Sequence, residues 1–125
     1  MYLYVGRVKL GGLRGYLWLL GSRLYLKTGW RSSDTHFLGN LNDLLSVAVR
    51  IRRLVPRPVD VRKVVAAVVK ALLMAKYVAK RCKDSPKWKV RTWELEDAVE
   101  QALAYIQHTW PHTMRLIQKR RGWLE

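Results

Sequence analysis

The rhythm of apolar and polar positions changes once along this chain. Up to Lys27 they alternate with a period of two, and beyond Leu41 they recur every three or four residues, the periods of strand and helix respectively. "YLYVGRVKL" (2–10) is strand-like and is broken by Gly11-Gly12. "GYLWLLGSRLYLKTGW" (15–30) holds two apolar runs separated by Gly21-Ser22, a two-residue loop of the type II′ hairpin kind. That turn predicts a register in which Leu20 faces Arg23, Leu19 faces Leu24, Trp18 faces Tyr25 and Leu17 faces Leu26. Successive side chains on a strand point to opposite faces. One face of the hairpin is therefore leucine (Leu17, Leu19, Leu24, Leu26), and the other carries Tyr16, Trp18, Tyr25, Arg23 and Lys27.

Residues 31–39 ("RSSDTHFLG") read as a polar connection. Asn40 is then a candidate N-cap, with Asp43 in the first turn of a helix running to about Val55. Its expected apolar stripe is Leu41, Leu44, Leu45, Ala48, Ile51 and Val55, with Arg50 and Arg53 opposite and Arg52 towards the apolar edge. Pro56 and Pro58 end it, because each opposes helix at the residue before it. Asp60 caps a second helix over 61–83, whose apolar side is Val64, Val68, Ala71, Leu72, Ala75, Val78 and Ala79. "KDSPKWKVR" (83–91) reads as a basic turn. A third helix starts near Thr92 or Trp93 and carries Leu95, Val99, Ala102, Leu103 and Ile106 at helical spacing. Pro111 ends or kinks it, and Met114, Leu116 and Ile117 continue the pattern towards "QKRRGW" (118–123). The expected fold is α+β in a single domain over 1–125: a basic β-hairpin or meander in an arm, 1–33, packed by its leucine face on a helical part, 40–121.

Charge changes the picture more than composition does. With 24 Lys and Arg against 9 Asp and Glu the net charge is +15, and self-repulsion of that size is relieved by a polyanion. Nucleic acid is the commonest such partner and an anionic membrane surface the second. On the second helix Arg62, Lys63, Lys70, Lys76, Lys80, Arg81 and Lys83 fall in a sector of roughly 160°, with no anion between Asp60 and Asp84. A helix of this length runs about 34 Å, close to one turn of duplex, so its cations can meet several phosphates. The excess of Lys over Arg suits phosphate contact more than base reading. A plain solvated face and a membrane surface are the competing readings. The membrane reading needs exposed bulky apolar residues beside the lysines, and Leu73 and Tyr77 are the ones in that sector.

The aromatic and basic hairpin face has three readings: base stacking by Tyr16, Trp18 and Tyr25 with Arg23 and Lys27 on the backbone, a subunit contact, or the ordinary strand preference of aromatic residues. Four of the nine acids (Glu94, Glu96, Asp97, Glu100) lie within seven residues. At the start of a helix they would meet its dipole. A metal site and docking on the basic face of a neighbouring copy are the other readings. His108 and His112 have the spacing of helical zinc ligands, but Pro111 lies between them, and a structural role is expected with no metal and no cofactor. Cys82 is the only cysteine, which excludes an intrachain disulfide. No phosphate-binding glycine loop, nucleophile elbow or CxxC pattern is present, and an enzyme is not expected. "VVAAVVKALLMA" (64–75) is interrupted by Lys70 and is too short for a membrane span. "GYLWLLG" (15–21) is too short for a secretory signal, so the virion or the cytoplasm is the expected location. Low Asn and Gln with heavy Arg use lean towards a thermophilic source.

The acid-free arm 1–33 followed by helices at 40–55, 61–83 and 93–121 resembles the coat proteins of rod-shaped and filamentous archaeal viruses, in architecture and charge. The arms of that family are helical or extended, whereas "LLGSRL" (19–24) argues for a hairpin. The resemblance implies many copies coating double-stranded DNA as a homo-oligomer or polymer. The expected function is sequence-independent nucleic-acid binding of a structural kind, with Arg62, Lys63, Lys70, Lys76, Lys80, Arg81, Lys83, Arg23, Lys27, Arg50 and Arg53 as the phosphate contacts. The alternative is an RNA-binding component of a ribonucleoprotein, such as a ribosomal protein or a small helical subunit of a CRISPR complex. A peripheral membrane protein ranks third.

Overall fold

The computed structural model describes residues 3–29, 31–81 and 86–111, with the side chains of 86–92 left aside. Four strands come first: β1 (Leu3–Leu10), β2 (Leu13–Leu20), β3 (Arg23–Lys27) and β4 (Thr35–Asn40). Three helices follow: α1 (Leu44–Leu54), α2 (Val61–Arg81) and α3 (Pro86–Thr109). The strands form one antiparallel sheet in the order β1-β2-β3-β4. The fold is thus α+β, a β-meander followed by helices.

The hairpin register is the expected one: Leu20 opposite Arg23, Leu19 opposite Leu24, Trp18 opposite Tyr25, Leu17 opposite Leu26. Gly21 has φ +61° and no non-glycine residue among those described has positive φ, which is the signature of the type II′ turn. All four leucines are buried, and with Leu3, Val5, Val8, Leu13 and Leu38 they form the core side of the sheet.

Both edge strands carry a bulge. The register shifts between Tyr4 and Gly6 on β1, and between Leu24 and Tyr25 where β3 meets β4. An extra residue lets two neighbours point the same way. Tyr4 and Arg7, three apart, consequently share the outer face, as do Phe37 and Asn40. On the inner side Gly6 faces α2, where a Cβ would meet Ala71 Cβ at 3.7 Å, an ordinary contact distance. Gly39, with φ +134°, lies beside Val47 of α1, a conformation that glycine adopts without strain. Bulges also discourage an exposed strand edge from pairing with another chain.

α1 lies against β4, α2 against β1 and α1, and α3 packs on α2, on the turn Leu41–Asp43 and on α1. One hydrophobic cluster joins the sheet to all three helices, including Leu95, Ala98, Val99, Ala102, Leu103 and Ile106 of α3. Leu45 N–H donates to Tyr105 Oη at 3.3 Å, tying α1 to α3.

Several local expectations are corrected. The segment 31–39 is not simply a connection, because β4 starts at Thr35 after a 3-10 turn, Ser32–Asp34. Only Leu38 of "THFLGN" is fully buried, so the strand shows no apolar alternation, and hydrogen bonding to β3 defines it instead. Asn40 precedes the 3-10 turn Leu41–Asp43 without a capping bond from its side chain. The cap of α1 is Asp43, which accepts from Ser46 N–H at 3.3 Å and from Ser46 Oγ at 2.8 Å. The start at Leu44 turns Val47 into the core and leaves Leu45 42% exposed, while Arg52 is exposed. Asp60 does cap α2, accepting from Arg62 N–H at 2.8 Å. α3 starts at Pro86, inside the stretch expected to be a turn, and proline at a first helical position is preorganised for helix.

Candidate nucleic-acid interface

Alternation places the second face of the sheet away from the helices. Cross-strand pairing then sorts its side chains into rows. One row crosses all four strands: Tyr4, Trp18, Tyr25, Phe37. The next is Arg7, Tyr16, Lys27, Thr35, and beyond it Lys9 faces Arg14. On the other flank Arg23 pairs with Leu20 and Asn40. None of the four strands contains an acid, and five cations (Arg7, Lys9, Arg14, Arg23, Lys27) lie on them.

The rings support one another. Tyr4 meets Trp18 edge-to-face at 5.2 Å between centroids and Tyr16 at 6.2 Å, and Tyr25 meets Phe37 at 5.3 Å. Lys27 Nζ lies 5.6 Å from the Trp18 ring centre. From α1, Arg50 reaches the edge of the sheet, where its guanidinium lies 5.5 Å from the Phe37 ring and donates to Phe37 O at 3.3 Å. Tyr4, Tyr16 and Phe37 remain 40–45% exposed, whereas Trp18 and Tyr25 are half-buried between them. The Trp18 indole N–H is buried and has no acceptor among the described residues. The row spans three strand spacings, about 14 Å, and the cation row is two residues along, about 7 Å away.

The structure therefore unites Tyr16, Trp18, Tyr25, Arg23, Lys27 and Arg50, as the sequence anticipates. Arg53 is exposed one turn further along α1. The site also gains Tyr4, Arg7, Lys9, Arg14 and Phe37. Simple alternation puts Tyr4 and Arg7 on opposite faces, and only the bulge brings them together, so β1 gave no clear signal. Phe37 lay within a segment whose strand character is set by pairing.

The basic helix behaves differently. Arg62, Lys63, Lys70, Lys80 and Arg81 are exposed and Lys76 is half-buried, while Lys83 lies outside the described residues. Buried residues of α2 are Val64, Val65, Val68, Val69, Ala71, Leu72, Leu73 and Ala79, an arc of roughly 200° at 100° per residue. Arg62, Lys76 and Lys80 project from the border of that arc, beside Val69 and Leu73. Lys63, Lys70 and Arg81 lie on the opposite, fully wet side with Met74 and Val78, which are 42% and 47% exposed. The single basic sector is thus divided into two strips. Leu73, expected on the wet face, is 6% exposed, and Val78, expected on the apolar side, is not buried.

The acids Glu94, Glu96, Asp97 and Glu100 lie beyond the first turn of α3, so the dipole account of them fails. His108 is exposed, and His112, the other half of the histidine pair, lies outside the described residues, as does Cys82. Among the described residues no three His, Cys, Asp or Glu are placed to hold a metal ion, and no helix is long and apolar enough to cross a membrane. No protein-family model, curated protein or solved structure matches this chain.

Proposed function

We propose that this protein binds single-stranded nucleic acid without reading its sequence, across the open face of the sheet. The observation that carries it is the in-register row Tyr4–Trp18–Tyr25–Phe37 beside the cations Arg7 and Lys27 on an acid-free face. Aromatic side chains stack on unpaired bases whatever their identity, and a neighbouring cationic strip follows the backbone. The two rows lie about one sugar-phosphate reach apart, so a strand crossing the sheet perpendicular to β1–β4 sets bases on the rings and phosphates on Arg7, Lys27 and the Lys9–Arg14 pair. The rings already brace one another, which lowers the ordering cost of binding. The Trp18 indole N–H, buried without an acceptor among the described residues, is a donor that is costly to leave unsatisfied.

A structural role in covering a genome or an RNA fits this chemistry, because none of these contacts distinguishes one base from another. Duplex coating through α2 is the second reading, favoured by the exposed Lys63, Lys70 and Arg81. The test is binding of labelled oligothymidylate, mixed-sequence single strands and duplex of equal length to the full chain. Tight binding of both single strands with weaker binding of duplex is expected. Preference for duplex, unaffected by Tyr4→Ala and Phe37→Ala, returns the assignment to α2.

A further inference from the structure

The helices α2 and α3 each have one face on which no other described strand or helix packs, and the two faces are complementary. On α2, Met74 and Val78 are four residues apart and therefore neighbours on the surface. They are rimmed by Lys70 before them, Arg81 after them and Lys63 further along. On α3, Trp93 is 70% exposed. It is rimmed by the exposed Glu94 and Asp97, with the half-buried Glu96 alongside. The buried stripe of α3 turns towards α2, so the Trp93 side faces away from the other described elements. An apolar centre inside a polar rim is the anatomy of a protein contact surface, and tryptophan is the residue most enriched at the energetic centre of such contacts. The fold does not explain either patch: the acids lie too far along α3 to serve its dipole, and Met74, Val78 and Trp93 gain nothing from exposure.

We infer that the Trp93 face of α3 docks on the Met74–Val78 face of α2 in a second copy of this chain, with Glu94 and Asp97 against Lys70 and Arg81. Opposite rims set the orientation and speed encounter. A contact between unlike patches leaves the sheet of both copies open, so neighbours assemble along a single strand without competing for it. The net charge of +15 opposes association of free copies. A shared strand removes that repulsion, and to this extent the inference rests on the nucleic-acid reading. The contact is then read as cooperativity.

Wild-type protein is titrated against an oligothymidylate of about eight nucleotides, enough for one copy, and against long polythymidylate. Cooperative binding is expected on the long strand alone. Trp93→Ala is expected to lower the cooperativity factor by on the order of 30-fold, as for a central contact residue, with affinity for the short strand unchanged. Two charge-reversed proteins, Lys70→Glu with Arg81→Glu and Glu94→Lys with Asp97→Lys, are each expected to lose cooperativity. Their equimolar mixture, in which every junction again joins opposite charges, is expected to recover it.

The inference is overturned if wild type binds short and long strands with no cooperativity, or if mixing restores nothing. Loss of short-strand affinity in the Lys70→Glu, Arg81→Glu protein also overturns it, since α2 is then a phosphate surface. So does a lowered Tm in the Glu94→Lys, Asp97→Lys protein with cooperativity intact, which points to the basic residues Arg115, Lys119, Arg120 and Arg121 of the same chain as the occupant. The mixed proteins are also sedimented at high protein concentration without nucleic acid, where mass action offsets the repulsion between free copies and a complex heavier than either alone is expected. That arm decides the inference even if the short strand is not bound, the result that removes the proposed function alone.

Discussion

The open face of the sheet and the helix α2 are both rich in cations, yet they present them in different ways. On the sheet, a period of two and a fixed register gather Arg7, Lys9, Arg14, Arg23 and Lys27 around one row of rings. On α2, β1, α1 and α3 all take part of the circumference. The sequence aligned seven cations, but the six that α2 carries are divided between a border strip and a wet strip with Met74 and Val78 between the charges. A run of charge along a sequence becomes a surface only if the neighbours leave it one. A period-two face, packed on one side only, satisfies that condition; a central helix does not.

The comparison is broken most sharply by reversing charge on each region in turn. Arg7→Glu with Lys27→Glu should weaken single-strand binding by at least about 100-fold, since each lost charged hydrogen bond is worth roughly 1.5–3 kcal/mol. Lys63→Glu with Arg81→Glu should change affinity for a short strand only a few-fold, through the general field. Fluorescence anisotropy with a short oligonucleotide measures both, and equal losses would show that the two regions act as one surface.

The salt slope counts the contacts. Four phosphates, on Arg7, Lys27, Lys9 and Arg14, predict a log–log slope near −2.8 for single strands, or roughly a 50-fold loss between 50 and 200 mM salt. A contribution from all six α2 cations would steepen it well beyond that value. The rings come next: Tyr4→Ala or Phe37→Ala should each cost about 1–3 kcal/mol on single strands and little on duplex. Both side chains are exposed, so thermal unfolding should be nearly unchanged, whereas an ordinary packing role would lower Tm and leave binding alone.

The smallest expected effect concerns the helix that brings Arg50 to Phe37. Asp43→Ala should destabilise the fold by about 1 kcal/mol through loss of the α1 cap, and Asn40→Ala by clearly less. Denaturant midpoints distinguish them, and the reverse order would place the start of α1 at Leu41.

Short-range rules settled a good deal of this protein before any tertiary contact was considered. The II′ turn at Gly21-Ser22 determined the β2–β3 register, and with it the leucine face and the positions of Trp18, Tyr25, Arg23 and Lys27. The cap at Asp60 set the start of α2. These follow from local backbone geometry, in which a two-residue loop allows one pairing and one alternation. The remainder depended on which surfaces meet. The bulges that turn Tyr4 and Arg7 to one side, and Phe37 and Asn40 likewise, lie where the edge strands pack on α2 and α1, tightly at Gly39 beside Val47 and at ordinary contact distance at Gly6 beside Ala71. Strand β4 exists because β3 offers it a hydrogen-bonding edge, not because its residues alternate. The early start of α3 at Pro86 takes the acids out of the first turn, leaving Trp93 as the exposed centre of an acidic face. The helical period alone says which residues of α2 share a side; how much of that side stays wet was decided by the three elements packed around it.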